Sequence, residues 1–251
     1  MKKFLLTSVV VAALVLGTSF AARAQSEITL LAPGSIRQAF GDLAPTYEQK
    51  TGQKVKVTFG TGAGTKQQAA RGEVFDVIVL QPPFPEVLAS GNVVAATSTP
   101  IATVTVGVAV RKGAPKPDIG TLEAVKKLLL SAQSIAYPDP AGAASGVAIQ
   151  DALKAMGIFD QVQAKAKMTG GPLPLVAKGD AEIGLAYLVD MNDPGVDVVG
   201  PLPRNVVTPT GFVGFVSTHA KDPAAAKALL DFLASPAAAP VYKAKGMSPG
   251  S

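Results

Sequence analysis

Short apolar runs alternate along the chain with stretches whose apolar residues recur every three or four positions. The runs at 27–32, 54–59, 74–80, 102–110, 134–137, 181–187, 196–199 and 212–216 read as strands. The spacing between them predicts helices at 35–50, 64–71, 84–89, 121–131, 145–156 and 173–179, with a closing pair at 223–233 and 236–245. Such regular alternation of strand and helix points to an α/β fold with parallel strands. Ser35, Thr121 and Ser145 stand where N-caps are expected, and Lys50 followed by Thr51-Gly52 marks a helix end.

The first segment departs from this alternation. Met1-Lys2-Lys3 precedes an apolar run to about Val15, and small residues follow as far as Ala22-Arg23-Ala24. This is the layout of a secretory signal peptide, with cleavage expected after Ala24 and a periplasmic destination. The run is too short for a membrane anchor, which takes about 20 apolar residues. No Cys stands at the cleavage point to carry a lipid.

Removing that segment changes the charge. The 251-residue chain carries 23 Lys+Arg against 18 Asp+Glu, a formal +5. Lys2, Lys3 and Arg23 leave with the signal, and about +2 remains. The remaining basic residues are scattered without an aromatic stripe, so no nucleic-acid partner is expected. With no Cys and a single His219, disulfides, thiol chemistry, a His-based metal cluster and a Ser-His-Asp triad are all excluded. Enzyme chemistry is left with carboxylates such as Asp76, Asp139, Glu182 and Asp190, for which turn and capping roles are the simpler reading. Neither an enzyme nor a cofactor is expected.

Three loops stand where a strand gives way to a helix: Leu31-Ala32-Pro33-Gly34-Ser35, Phe59-Gly60-Thr61-Gly62-Ala63-Gly64-Thr65, and Tyr137-Pro138-Asp139-Pro140 running on to Ser145-Gly146. In an open α/β sheet, ligands bind outside the carboxyl ends of the strands, where free amides of the next helix point outward. Hydroxyls and amides in these loops suit an anion or a carboxylate. The glycine run is not a nucleotide loop: Thr65 stands where both G-x-x-x-x-G-K-[ST] and G-x-G-x-x-G, counted from Gly60, require Gly. Ser35 also serves as an ordinary helix cap, and Tyr187 as a core aromatic with its hydroxyl at the rim.

Taken in order, these segments resemble the molybdate-binding group of periplasmic solute-binding proteins of ABC importers. The matching stretches are 28–35, Tyr47-Glu48-Gln49-Lys50-Thr51-Gly52, Phe75-Asp76-Val77-Ile78 after Gly72, Asp139-Pro140 with Ser145-Gly146, and Asp151-Ala152-Leu153 ahead of Met156-Gly157. They continue with Gly179-Asp180-Ala181-Glu182, Gly184, Tyr187 and Asp190, then 224–233 and Ser235-Pro236 before Gly246. The resemblance implies a two-lobed type II binding-protein fold with two hinge-crossing strands, a small anionic ligand, an inner-membrane permease partner and a monomeric state. It places the signal at 1–24, lobe one at 25–110 and 201–251, and lobe two at 111–200.

In that group an oxyanion is held by hydroxyls and backbone amides shared between the lobes. The resemblance carries this over to Ser35, to Tyr187, to the Ser145 amide and to the Gly170-Gly171 loop. The second serine of the group is missing, since Gly62 stands there with Thr61 one place earlier. Two ligand classes remain open: a molybdate- or tungstate-like oxyanion, and a small di- or tricarboxylate for which Arg37 and Lys66 offer pairing charges.

Overall fold

The computed structural model describes residues 27–250, so the expected export signal at 1–24 lies outside the described residues. Strand β1 (Ile28–Pro33) leads through a tight 3-10 turn at Gly34–Ile36 into α1 (Arg37–Thr51). It is followed by β2 (Val55–Gly60), α2 (Gly62–Ala70), β3 (Val77–Leu80), α3 (Pro85–Ser90) and β4 (Thr99–Val104). Next come β5 (Val106–Arg111), α4 (Leu122–Ser131), β6 (Ile135–Pro138), α5 (Ala144–Ala155), α6 (Phe159–Gln163), β7 (Ala166–Thr169), α7 (Leu173–Lys178) and β8 (Ile183–Tyr187). The chain closes with β9 (Val196–Pro201), β10 (Thr210–Val216), α8 (Pro223–Leu233), α9 (Ala239–Ala244) and β11 (Ser248–Pro249).

These strands form two sheets, in the orders β11-β4-β10-β3-β1-β2 and β7-β6-β8-β5-β9. Parallel pairing holds for β1 with β2 and β3, and for β6 with β7 and β8. Against the fully parallel expectation, β10 runs antiparallel to β3 and β4, and β5 runs antiparallel to β8 and β9. The antiparallel strands β5 and β10 are the ones the chain enters when it passes from one sheet to the other. Each lobe is therefore a βαβ core with a crossing strand inserted in reverse. β3, β6 and β8 are buried along their whole length, which is why they read as uninterrupted apolar runs.

The run at 102–110 is two strands in different sheets. β4 ends at Val104 and β5 begins at Val106, so the chain changes lobe at Thr105 and returns through 202–209. The expected limits at 110/111 and 200/201 thus fall inside or at the end of strands belonging wholly to the second sheet. An apolar run buried on both sides of the break carries no local signal for the change of sheet. The crossing is fixed by two backbone bonds, Leu188 N–H to the Thr105 carbonyl at 3.0 Å and Leu202 N–H to the Val106 carbonyl at 2.8 Å.

Local chemistry accounts for most element ends. Thr121 Oγ1 caps α4 by accepting from Ala124 N–H at 3.1 Å, and Asp222 caps α8 by accepting from Ala224 and Ala225. Gly52, at φ 73°, ends α1 in the left-handed conformation that glycine adopts at little cost. Ser35 and Ser145 do not cap: Ser35 lies within the 3-10 turn, and Ser145 is already the second residue of α5 behind an Ala143 cap. Both are thereby left facing the cleft. α6, β7 and β11, unmarked by periodicity, are short and only partly apolar. The closing helices return to the first lobe, where Tyr47 meets Phe232 with ring centroids 5.2 Å apart and Tyr242 donates to the Leu233 carbonyl at 2.8 Å.

Asp76, 4% exposed, staples three segments of that lobe. Its carboxylate accepts from Thr29 N–H at 2.8 Å and Thr29 Oγ1–H at 2.7 Å on β1, and from Lys221 N–H at 2.8 Å beyond β10. Leaving such donors buried and unpaired costs about 1–3 kcal/mol each. Asp76→Ala is therefore expected to lower unfolding stability by about 3 kcal/mol, seen as a reduced urea midpoint at unchanged slope. An unshifted midpoint would show that the staple carries no net stability.

Candidate functional site

Two helix starts face each other between the lobes. α2 begins at Gly62 behind Thr61, whose Oγ1 accepts from Gly64 N–H at 2.9 Å, and α5 begins at Ala144 with no side-chain cap. The first amides of each helix have no carbonyl a turn earlier to bind. A Cβ built on Gly62 would lie 3.6 Å from the Ala144 nitrogen, so little more than the room of one side-chain carbon separates the two ends. On the α5 side, Gly146 lets the first turn nest against the preceding strand: a Cβ there would come within 2.2 Å of the Pro138 carbonyl oxygen.

Around this meeting point lies a cavity of about 610 Å³. Lobe one contributes Ser35, Thr61, Gly62 and Gln81, and lobe two contributes Ser145, Gly170, Tyr187 and Asp190. Six of the seven residues singled out from sequence thus share one cavity. Gly171 lines an adjoining pocket of about 460 Å³, which also carries Asn192 and Asp193 and shares Ser145, Gly170 and Asp190 with the first.

Charge within the cavity is sparse. Arg37 stands at its edge with its guanidinium 4.3 Å from the centre of the Phe59 ring. Lys66 is not in this cavity. It lines a separate pocket of about 600 Å³ with Asp151 and Thr210, where burial lowers its pKa. Among the described residues no group of three or more His, Cys, Asp or Glu comes together that could hold a metal.

Tyr187, 2% exposed at the end of β8, donates its hydroxyl to Thr210 Oγ1 at 2.8 Å. Burial raises its pKa to about 12, offset in part by the Thr210 bond and reinforced by the negative charge of Asp190. It therefore stays protonated at neutral pH. The bond joins a strand of one sheet to a strand of the other and closes one side of the cleft. Both partners are hydroxyls and can exchange roles, Thr210 donating to Tyr187 when the tyrosyl proton turns toward an anion. A second contact between the lobes runs from Gln38 Nε2 to the Val189 carbonyl at 3.4 Å.

Two site groups escaped the sequence reading of the binding set. Asp190 follows Tyr187 by three residues in a 3-10 turn, Leu188–Asp190, that packs against Gly34–Ile36 of the other lobe. As a residue it is exposed to the cleft, yet desolvation by the surrounding lobes pushes its carboxyl up to about 6. Gln81 follows the last residue of β3 and is 2% exposed. Its position at the carboxyl end of a buried strand is the signal that could have found it.

With this geometry in hand, similarity to known proteins is informative. Aconitate isomerase of Pseudomonas sp is 34% identical over 239 residues, covering 91% of this chain and 90% of that protein. The molybdate-binding protein ModA of Escherichia coli strain K12 is 25% identical over 233 residues, covering 89% and 90%. The solved periplasmic molybdate-binding protein of Azotobacter vinelandii superposes with a TM-score of 0.70 at 20% identity, over 88% of this chain and 98% of that one. That likeness bears out the two-lobed type II binding-protein fold, and the sequence similarity to ModA bears out the kinship with molybdate-binding proteins. The family model for bacterial extracellular solute-binding proteins matches residues 28–248, and the chain belongs to that family.

Proposed function

We propose that this protein captures a small organic di- or tricarboxylate in the cleft, by closure of the two lobes, and presents it to a membrane permease from the periplasm. The observation that carries this reading is that the main cavity adjoins a second pocket beyond Asp190, the two having Ser145, Gly170 and Asp190 in common in their walls. A cavity in the range of about 300–1,000 Å³ is the size that organic ligands use. The helix-end amides, Ser35 and Tyr187 take one carboxylate, and the remainder of the acid extends into the second pocket. Gly62 in place of the second serine fits this reading, as does the similarity to a protein named for aconitate.

Asp190 sharpens the choice. A fully ionised tetrahedral oxyanion offers acceptors only, and an ionised carboxylate beside it is repelled. An organic acid with a hydroxyl or a protonated carboxyl can donate to Asp190 and turn the same group into a partner. A second reading, favoured by the isomerase relative and by Asp190 in the cleft, is turnover: Asp190 accepts a proton from the carbon beside a bound double bond and returns it at the far end. Under that reading the bound acid leaves as an isomer, with no net gain or loss of protons.

Calorimetric titration with citrate, cis- and trans-aconitate, succinate, molybdate and sulfate separates these readings. Binding of a polycarboxylate without molybdate binding is expected; molybdate alone would replace the organic acid with an oxyanion. If the aconitate is recovered as its other isomer, turnover holds, and if it is recovered unchanged, capture alone holds.

Ser35→Ala and Tyr187→Phe are each expected to weaken binding about ten- to a hundredfold, the worth of a hydrogen bond to a charged group of about 1.5–3 kcal/mol. Unfolding without ligand should change little for Ser35→Ala. Unaltered affinity in both variants would move the site elsewhere.

Asp190 also predicts a pH dependence. Its folded pKa lies above the unfolded carboxylate value, so the penalty of its charge is full above about pH 6 and disappears as pH falls toward 4. The other titratable groups around it are Tyr187, Arg37 and Asp139 in the cavity and Asp193 in the adjoining pocket. Affinity for a permanently charged anion such as sulfate, where it binds, should rise from pH 7 to pH 5, and Asp190→Asn should flatten that rise. An identical slope in the variant would remove Asp190 from ligand contact.

A further inference from the structure

Among the described residues, Gln81 Nε2 is the one buried side-chain nitrogen or oxygen without a hydrogen-bond partner. Buried polar groups are normally paired, and an orphaned amide costs about as much as a lost hydrogen bond. The place of this one is informative. Gln81 stands at the carboxyl end of β3, is 2% exposed, and lines the cavity between the lobes. Its Oε1 lies 3.5 Å from where a Cβ on Gly62 would stand, so the side chain runs directly beneath the opening residue of α2. Glycine at 62 leaves that space to the glutamine amide.

We infer that Gln81 is a specificity-determining residue of the cleft, its side-chain amide donating to a carboxylate oxygen of the bound acid in place of a hydroxyl at position 62. This rests on the organic-acid reading above and deepens it. A hydroxyl at 62 would reach only an atom seated directly on the helix start. An amide rising from the floor of the sheet reaches a group set to one side of that point, and its planar N–H₂ suits a planar carboxylate. The orphan donor is satisfied when ligand binds, so the group is a cost to the free protein and a gain to the complex.

That asymmetry gives the test. Gln81→Leu replaces the amide with an apolar side chain of similar size, and Gln81→Glu replaces the donor with a charge that repels the ligand. Wild type and both variants are titrated with citrate, cis- and trans-aconitate, succinate and molybdate, and thermal unfolding is followed without ligand. Gln81→Leu is expected to unfold at an equal or higher temperature than wild type and to bind the preferred polycarboxylate about ten- to a hundredfold more weakly. Gln81→Glu should bind more weakly still.

Lower stability in Gln81→Leu together with unchanged affinity would make Gln81 a structural residue and overturn the inference, while leaving the organic-acid reading standing. Wild type that binds molybdate and no polycarboxylate would overturn that reading and the carboxylate contact with it. The same variants compared on molybdate would then show whether Gln81 touches any ligand at all. Wild type that binds none of these probes would overturn both.

Discussion

The site depends on two helix starts, one from each lobe, whose opening amides face one cleft. A helix N-terminus carries the equivalent of about half a positive charge and several unpaired N–H groups. α2 and α5 bring two such ends together at Gly62 and Ala144, one from each lobe. Like partial charges at that distance repel, and water or an anion must satisfy the amides. An anion seated there draws both ends inward and links ligand occupancy to lobe position through elementary electrostatics. Net charge has little part in this, because the basic excess over residues 25–251 is small, 20 Lys+Arg (23 less Lys2, Lys3 and Arg23) against 18 Asp+Glu.

The scaffold around that contact follows from the same arrangement. Both helices begin at the carboxyl end of a parallel strand, α2 after β2 and α5 after β6, and the loops between are short. The reversed strands β10 and β5 lie inside their sheets, each paired on both sides, and connect to the lobe crossing. The Tyr187–Thr210 bond lies beside the crossing and not at the far rim, so it restrains the angle between lobes without filling the space the ligand needs. Asp76 does comparable work within one lobe, its buried carboxylate tying β1 to the segment after β10.

Most of the fold was legible in the sequence, because buried strands are apolar throughout and the helices between them carry the spacing that packs one face inward. What stayed hidden has physical reasons. The change of sheet at Thr105 occurs inside a run that is buried on both sides of it, so hydrophobicity does not vary there. The short β7 and α6 lie at a partly exposed edge and lack a complete apolar face. In the site, hydroxyls and glycines at strand ends were visible because their residue types are suggestive. Gln81 was not, since glutamine beside Pro82-Pro83 reads as a loop residue until its burial is known. Asp190 was read only as a carboxylate and as part of the resemblance, because the packing of its turn against Gly34–Ile36 depends on the lobes meeting.

The sparse charge of the cleft also bears on release. Had the ligand been held by buried arginines, its charge would be matched in a low-dielectric site and dissociation would be slow, since most variation in affinity among related complexes lies in the off-rate. On the proposed closure the amides and hydroxyls come from both lobes, so an open state lacks part of them and binds more weakly than the closed one. A partner that favours the open arrangement can then lower affinity without competing for the ligand, by as much as the two states differ in binding free energy. Asp190 adds to that difference. In this arrangement the lobes desolvate its carboxyl, so on the proposed closure a ligand donor or a proton that compensates the buried charge favours the closed state.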